Sequence, residues 1–374
     1  PRPATFPGDG AQRCGKPPLP FQKEHSTTTG TSDTTPALEG FWEWDRLHLP
    51  KPVTPLSQDA FVPSISRGFS GAMDEFGYPM GLVYRVINGY GYMGMAPQDL
   101  KHETIEQRVE RFKDTITREI PRIGQRWQNE WLPSMEPGLA RLRNTDFAAL
   151  SDADLVATTD ALLEESVSRW HIHGWINLTV VGASWFVDYY NELFDPEDPT
   201  EGYRALQGFP TKSLDAGRGL WRLSRQVKAS PELSQIFASH EVKDIPAALQ
   251  QSEAGRAFAA DLQAFLEEFG WRNDGFELAE PTWYENPAIP LNTIQGYLQL
   301  GEEGNPDVPY QAAIRRREEL LAAARQKLAG DPAKLTRFNE LYEAGRDNLS
   351  VTEDHNHYID QQGLMLLRRP LLEL

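Results

Sequence analysis

The chain has 374 residues, longer than a single core usually grows, so two subdomains or one elongated helical domain are expected. Apolar residues make up 40% of it, with ten Trp, twelve Tyr and seventeen Phe; this excludes a disordered chain and supplies enough aromatic surface to line a pocket. A formal charge of −17, with Lys and Arg dispersed among acids, argues against nucleic acid and anionic membranes as partners, because both need a basic stripe.

One cysteine, Cys14, leaves no internal disulfide and no cysteine zinc cage, which suits a reducing compartment. No run approaches a membrane span and no leader is visible, so a cytoplasmic location is expected. Because the chain starts at Pro1 and stops at Leu374 within an apolar helical pattern, it reads as part of something larger.

In chain order, residues 1–38 are rich in Pro, Gly, Ser and Thr and lack a hydrophobic period, which predicts a tether or a surface wrap. Residues 39–100 read as a β-containing subdomain of short β-branched and aromatic pieces. Within it, Leu82–Ile87 and Tyr90–Met95 form a hairpin turning at Asn88-Gly89. Residues 101–374 read as a helical substrate-binding domain, so the fold class is mainly α with a small β element. Ile105, Val109, Phe112 and Ile116 keep helix spacing, and Pro121 kinks or restarts that segment. Ser151 with Asp154 caps a helix expected to run to Phe194. Further helices are expected near 213–228, 252–269, 309–329, 332–344 and 351–369.

Gly89-Tyr90-Gly91-Tyr92-Met93-Gly94 matches a dinucleotide fingerprint, but no helix is expected to open there, so the hairpin reading prevails. No phosphate-cradling G-x-x-x-x-G-K-[ST] occurs. His171 and His173 point about 200° apart on a helix, which argues against a shared metal. Each is a buried core histidine or a pocket wall beside Trp170 and Trp175. Glu353-Asp354-His355-Asn356-His357-Tyr358-Ile359-Asp360 is the densest set of proton-handling groups. On an α-helix Asp354 and Tyr358 share one face, Glu353, His357 and Asp360 another, and His355 lies toward the apolar side. It is a general-base centre or a solvated charge run with one capped histidine. Pro50, Pro52 and Pro55 hold the stretch from Trp42 to Leu56 extended, so Trp44, Asp45, Arg46 and His48 are fixed either for function or as a clamp on the core.

The order of these motifs carries a resemblance. Trp42 to Leu56 is similar to a W-x-x-D-x-x-H-x-P-x-P-x-T-P-L opening, followed by Trp170-His171-Ile172-His173, Leu220-Trp221-Arg222-Leu223, Phe269-Gly270-Trp271-Arg272, Glu277 to Pro287 and Glu353 to Tyr358. Over about residues 40–374 the chain resembles the substrate-binding region of phosphoenolpyruvate-utilising enzymes, the group of rifampicin phosphotransferase, phenylphosphate synthase and phosphoenolpyruvate synthase-like dikinases. The resemblance implies an acceptor domain or subunit that holds the hydroxyl of a small aromatic, phenolic compound for phosphorylation. A phosphohistidine on another domain would be the donor, itself charged by an ATP-grasp domain. No glycine-rich ATP-grasp or Thr-x-His phosphohistidine loop is found, so ATP and Mg2+ are expected on partner domains, with no cofactor and no metal on this chain.

Such transfer needs mainly positioning and charge compensation. The expected catalytic residues are His355 as base with Tyr358 and Asp354 orienting it. Trp44, His48, Arg67, His173, Arg272 and Trp283 are expected around the substrate, with Arg46 as a further phosphoryl partner. A binding or scaffold subunit without catalysis, and a hydratase- or isomerase-like enzyme that works without ATP, are the alternatives.

Overall fold

A three-stranded antiparallel sheet set among helices makes up the described part of the computed structural model, residues 41–273 and 275–374. The tether or wrap expected over residues 1–38 lies outside them. β1 (Trp42–Trp44), β2 (Met80–Ile87) and β3 (Tyr90–Pro97) pair in the order β1-β3-β2. Ile87 faces Tyr90 across Asn88 and Gly89, which have φ of 52° and 83°, as a two-residue hairpin turn of the mirror-image kind demands. The glycine-rich stretch is therefore a hairpin, as expected.

Between β1 and β2 runs α1 (Pro55–Glu75), where the sequence reading expected only short β pieces. Thr54 caps it by accepting from the Ser57 amide, and Pro55 occupies the first turn, where its missing N–H costs nothing. Ser64 and Ser66 return their hydroxyls to the carbonyls of Ala60 and Val62, at 2.8 and 2.9 Å. Low intrinsic propensity disguised the helix; burial of Phe61, Ile65, Phe69 and Ala72 at helix spacing stabilises it.

Of the remaining helices, those expected near 213–228, 252–269 and 309–329 are present, whereas those at Leu132–Asn144, Pro231–Ser239, Ile245–Leu249 and Ala288–Leu300 were not expected. α2 (Ile105–Glu119) ends in a tight turn at Ile120–Arg122 that contains Pro121, then come α3 (Ile123–Arg126), a π-helical turn at Trp127–Trp131 and α4 (Leu132–Asn144). The helix expected from Ser151 to Phe194 is two, α5 (Asp152–Ile176) and α6 (Thr179–Phe194), because the Thr179 hydroxyl takes the Ile176 carbonyl at 2.6 Å and ends the first. α7 (Glu201–Arg204), α8 (Lys212–Ala229), α9 (Pro231–Ser239), α10 (Ile245–Leu249), α11 (Glu253–Phe269), α12 (Ala288–Leu300) and α13 (Asp307–Leu328) precede α14 (Pro332–His355). The helices expected at 332–344 and 351–369 are one run, since α14 continues into a π-helical segment, Asn356–Gly363, before α15 (Arg368–Glu373).

Three apolar cores result. The first joins the sheet, α1, α5 and the 359–367 segment; the second lies among α8 to α12; the third among α6, α13 and α14. Phe61, Trp127, Trp170, Phe186 and Phe338 are fully buried, each contributing roughly 1.5–3 kcal/mol. The fold is mainly helical with a small sheet, as the sequence implied.

Candidate active site

The site begins where α1 and α5 touch. Glycines at the crossing let the helices approach: a Cβ at Gly174 would meet the Ala72 Cβ at 2.6 Å, and one at Gly68 would enter the α5 backbone. This close approach brings His173 of α5 against Phe69, with ring centroids 4.8 Å apart, and against Trp170 at 5.3 Å. His171, two residues away, points elsewhere and meets Glu75 at 2.6 Å, so the two imidazoles diverge as expected.

Opposite His173 stands the π-helical segment. The α-helical phase assumed for Glu353 to Asp360 does not hold, because the wider turn sets residues five apart side by side. It pairs His355 with Asp360, Nε2 to Oδ2 at 3.7 Å, and His357 with Gln362 at 2.6 Å. Arg169, buried in α5, donates to the carbonyl of Gly363 at 3.2 Å and secures the far end of the segment. Its guanidinium is pushed down to about 10 by burial, and it stays charged at neutral pH.

His173, His355 and Asp360 thus converge. His173 Nε2 lies 3.1 Å from His355 Nε2 and 3.2 Å from Asp360 Oδ1. The two rings stand at 90°. His355 Nδ1 donates to the Val351 carbonyl at 3.2 Å, which leaves Nε2 as the lone-pair nitrogen. Burial, then the neighbouring His173, push the His355 imidazole down to about 4, against a smaller opposing pull from Asp360. Burial by itself would raise the Asp360 carboxyl, but His173 and His355 outweigh it and hold the group below its ordinary value. His48 adds to that pull, which sets a second polar group near the first.

That second group is Asp45, His48 and Tyr84. The Asp45 carboxylate is buried; His48 Nδ1 is 2.9 Å from its Oδ2 and the His48 amide 3.1 Å from its Oδ1. The Tyr84 hydroxyl donates to Oδ2 at very short range. Burial alone would raise the Asp45 carboxyl, but bonds from His48 and Tyr84 hold it low. With Nδ1 tied to a carboxylate, His48 presents Nε2 as a free acceptor, the arrangement of an oriented general base. Its side chain is 34% exposed, so the network meets solvent there. The ring stacks on Phe276 at 4.4 Å, and Phe276 in turn packs on Phe61 and Trp170, the latter touching His173. Aromatic side chains therefore bind the two polar groups together.

The other expected residues lie elsewhere. Tyr358 lines a cleft of about 590 Å³ with Lys212, Arg143, His357, Glu267 and Glu268. Asp354 opens onto a different cleft of about 230 Å³ beside Trp127 and accepts from the Lys212 amide at 3.0 Å, so neither it nor Tyr358 bonds to His355. Arg67 is engaged by Glu164 in an exposed two-pronged pair, and Arg46 lies over the Trp44 ring at 4.7 Å. Trp44 donates to the Leu49 carbonyl, at 3.2 Å, and holds the Pro50 loop. Arg272 stacks over Trp283 and bonds the Phe269 carbonyl. Burial and the nearby Arg272, Lys212 and Arg143 charges push His357 down to about 3. Sequence reasoning named His48, His173 and His355 but missed that Tyr84 and Asp360 complete their setting. Only the i,i+5 spacing of His355 and Asp360 hinted at it, and that spacing is silent under an α-helical assumption.

Residues 171–353 match the model described as the rifampicin phosphotransferase fourth domain. This stretch, just under half of the chain, is similar to that domain. The match bears out the resemblance read from the motifs, and the fourth-domain region contains His173, Arg272 and Trp283. His48 and Asp45 precede it; His355 and Asp360 follow it. Chondramide synthase of Chondromyces crocatus is 30% identical over 338 residues, covering 89% of this chain and 9% of that protein. An uncharacterized phosphotransferase of Bacillus subtilis, YvkC, is 26% identical over 336 residues, 86% of this chain and 38% of that protein. Prodigiosin synthesizing transferase PigC of Serratia marcescens is 32% identical over 90 residues. The chain spans well under half the length of each of these relatives. Among the described residues no helix is long and apolar enough to cross a membrane.

Proposed function

We propose that this chain is the acceptor-binding part of a dikinase-type phosphotransferase, in which a small phenolic hydroxyl compound receives a phosphoryl group from a phosphohistidine carried elsewhere. The observation that carries the reading is the oriented Asp45–His48 pair, buried at the carboxylate and open at the imidazole, with the ring held by stacking on Phe276 of the core. His48 Nε2 takes the hydroxyl proton, the hydroxyl oxygen attacks the phosphorus of the phosphohistidine, and the donor imidazole leaves with the electron pair of the broken P–N bond.

The base role moves from His355 to His48 for a physical reason. His355 is 6% exposed and its basicity is lowered to about 4, so it holds a proton poorly and meets no solvent-borne acceptor directly. The expected phosphoryl arginines are scattered, Arg67 being spent on Glu164. Charge compensation on the phosphoryl group is accordingly assigned to the donor domain. ATP and Mg2+ belong to the partner domains in this reading, and the cytoplasm is the expected compartment.

With a phosphohistidine donor domain supplied, His48→Gln should lower turnover of phenolic acceptors by about a hundred- to ten-thousand-fold while KM changes only a few-fold. Asp45→Asn should do the same in part, through the lost orientation of the ring. Normal turnover in a folded His48→Gln protein sinks the assignment, and product formed without ATP or donor would favour the proton-transfer alternative.

A further inference from the structure

We propose that His173, His355 and Asp360 form a binding site for one zinc-type divalent transition-metal ion. The inference goes beyond the phosphotransfer reading and does not rest on it, since metal binding is measured without any phosphoryl donor.

The geometry is that of converging ligands. His173 Nε2, His355 Nε2 and the Asp360 carboxylate lie 3.1, 3.2 and 3.7 Å apart edge by edge. A tetrahedral ion with bonds of about 2.0–2.2 Å places its ligand atoms roughly 3.3–3.6 Å apart, so small adjustments suffice to seat one. Among the described residues these three are the group of His, Cys and carboxylate ligands whose atoms gather within 4.8 Å of one another.

Two further observations, one at Asp360 and one at His355, point at a ligand. Asp360 is 6% exposed, and beyond the 3.2 Å ion-pair contact with His173 Nε2 its buried Oδ1 has no hydrogen-bond partner. A cation between the three would give the Asp360 carboxylate the charged partner its burial calls for. Second, His355 Nδ1 donates to the Val351 carbonyl, the outer contact that fixes a ligating histidine in the tautomer whose Nε2 faces the metal.

Two imidazoles and a carboxylate suit zinc, cobalt or iron rather than Mg2+, which prefers oxygen ligands and keeps its waters. Three protein ligands leave a position for a water or for the oxygen of a hydroxyl compound. His171 is not part of the site, as its bond to Glu75 shows.

The 374-residue chain, freed of metal by chelation and dialysis, is titrated with Co2+ and followed by visible absorption, with Zn2+ in competition and thermal melts alongside. One equivalent of Co2+ is expected, with the intense bands of a four- or five-coordinate nitrogen and oxygen site, displaced by Zn2+ but not by millimolar Mg2+. The melting midpoint rises with Zn2+. His173→Gln and Asp360→Asn should each weaken binding by at least about a hundred-fold, whereas His171→Gln should leave it unchanged and controls for unspecific imidazole binding. Both variants are compared with wild type in the metal-free state by circular dichroism; if one unfolds, the other decides. Absence of stoichiometric Co2+ binding, or equal binding by folded His173→Gln and Asp360→Asn, overturns the site and leaves a buried histidine–carboxylate ion pair.

Discussion

At the scale of single residues, buried carboxylates organise this protein. Asp45 fixes His48, Asp360 faces two histidines, and Glu277 ties the start of α1 to the loop after α11. Glu277 accepts from the Thr54 amide at 3.0 Å, the Thr54 hydroxyl at 2.7 Å, the Ser57 hydroxyl at 2.8 Å and the Ala279 amide at 2.9 Å. Burial raises its carboxyl, yet these donors outweigh burial and hold it below the ordinary value of 4.5. A depressed carboxylate contributes stability that is present above its unfolded value and lost as the pH falls through the folded one. Glu277→Gln should therefore lower stability at pH 7 by about 2 kcal/mol. The difference from wild type should shrink as the pH drops below 4.5. Urea unfolding at pH 7 and in acid checks this; a gap that stays constant with pH would show that packing, not charge, is lost.

The element that decides the site is the π-helical segment Asn356–Gly363. An α-helix would turn Asp360 about 140° away from His355, whereas the wider turn sets them together and repeats the device with His357 and Gln362. Deleting Gln361 should let the segment resume α-helical phase with little loss of helix. The polar network behind His48 would then be misaligned, and a misplacement of this order costs about a hundred-fold in turnover. Far-UV circular dichroism with a turnover assay distinguishes the outcomes. Retained turnover in a regular helix would mean that the wide turn is incidental. The α1–α5 crossing matters similarly, because Gly68 and Gly174 set the distance at which His173 meets Phe69.

For the whole molecule, the division of labour is the testable point. The chain covers 9% and 38% of its two more extensively aligned relatives, and its glycine-rich stretch is a hairpin with no helix opening at it. A nucleotide phosphate needs a glycine-rich loop leading into a helix N-terminus. Calorimetric titration with Mg-ATP should accordingly detect no micromolar binding. A micromolar signal would move the kinase chemistry onto this chain.

Sequence alone determined what rests on local signals. The Asn88-Gly89 hairpin, the cap at Ser151, the stop after Phe269 and the mainly helical class follow from backbone preference and hydrophobic period, which act over a few residues. The ordered motifs likewise pointed to the family that residues 171–353 match. Tertiary structure decided the rest. α1 was hidden because Ser, Gly and Pro63 lower its propensity while its stability comes from packing on α5. The pairing of His173 with His355 spans 182 positions, and the bond between Tyr84 and Asp45 spans 39, so no local pattern carries either. The π-helical phase depends on what its residues meet across the interior, since widening a helical turn is unfavourable until His173, Arg169 and their neighbours supply partners for it.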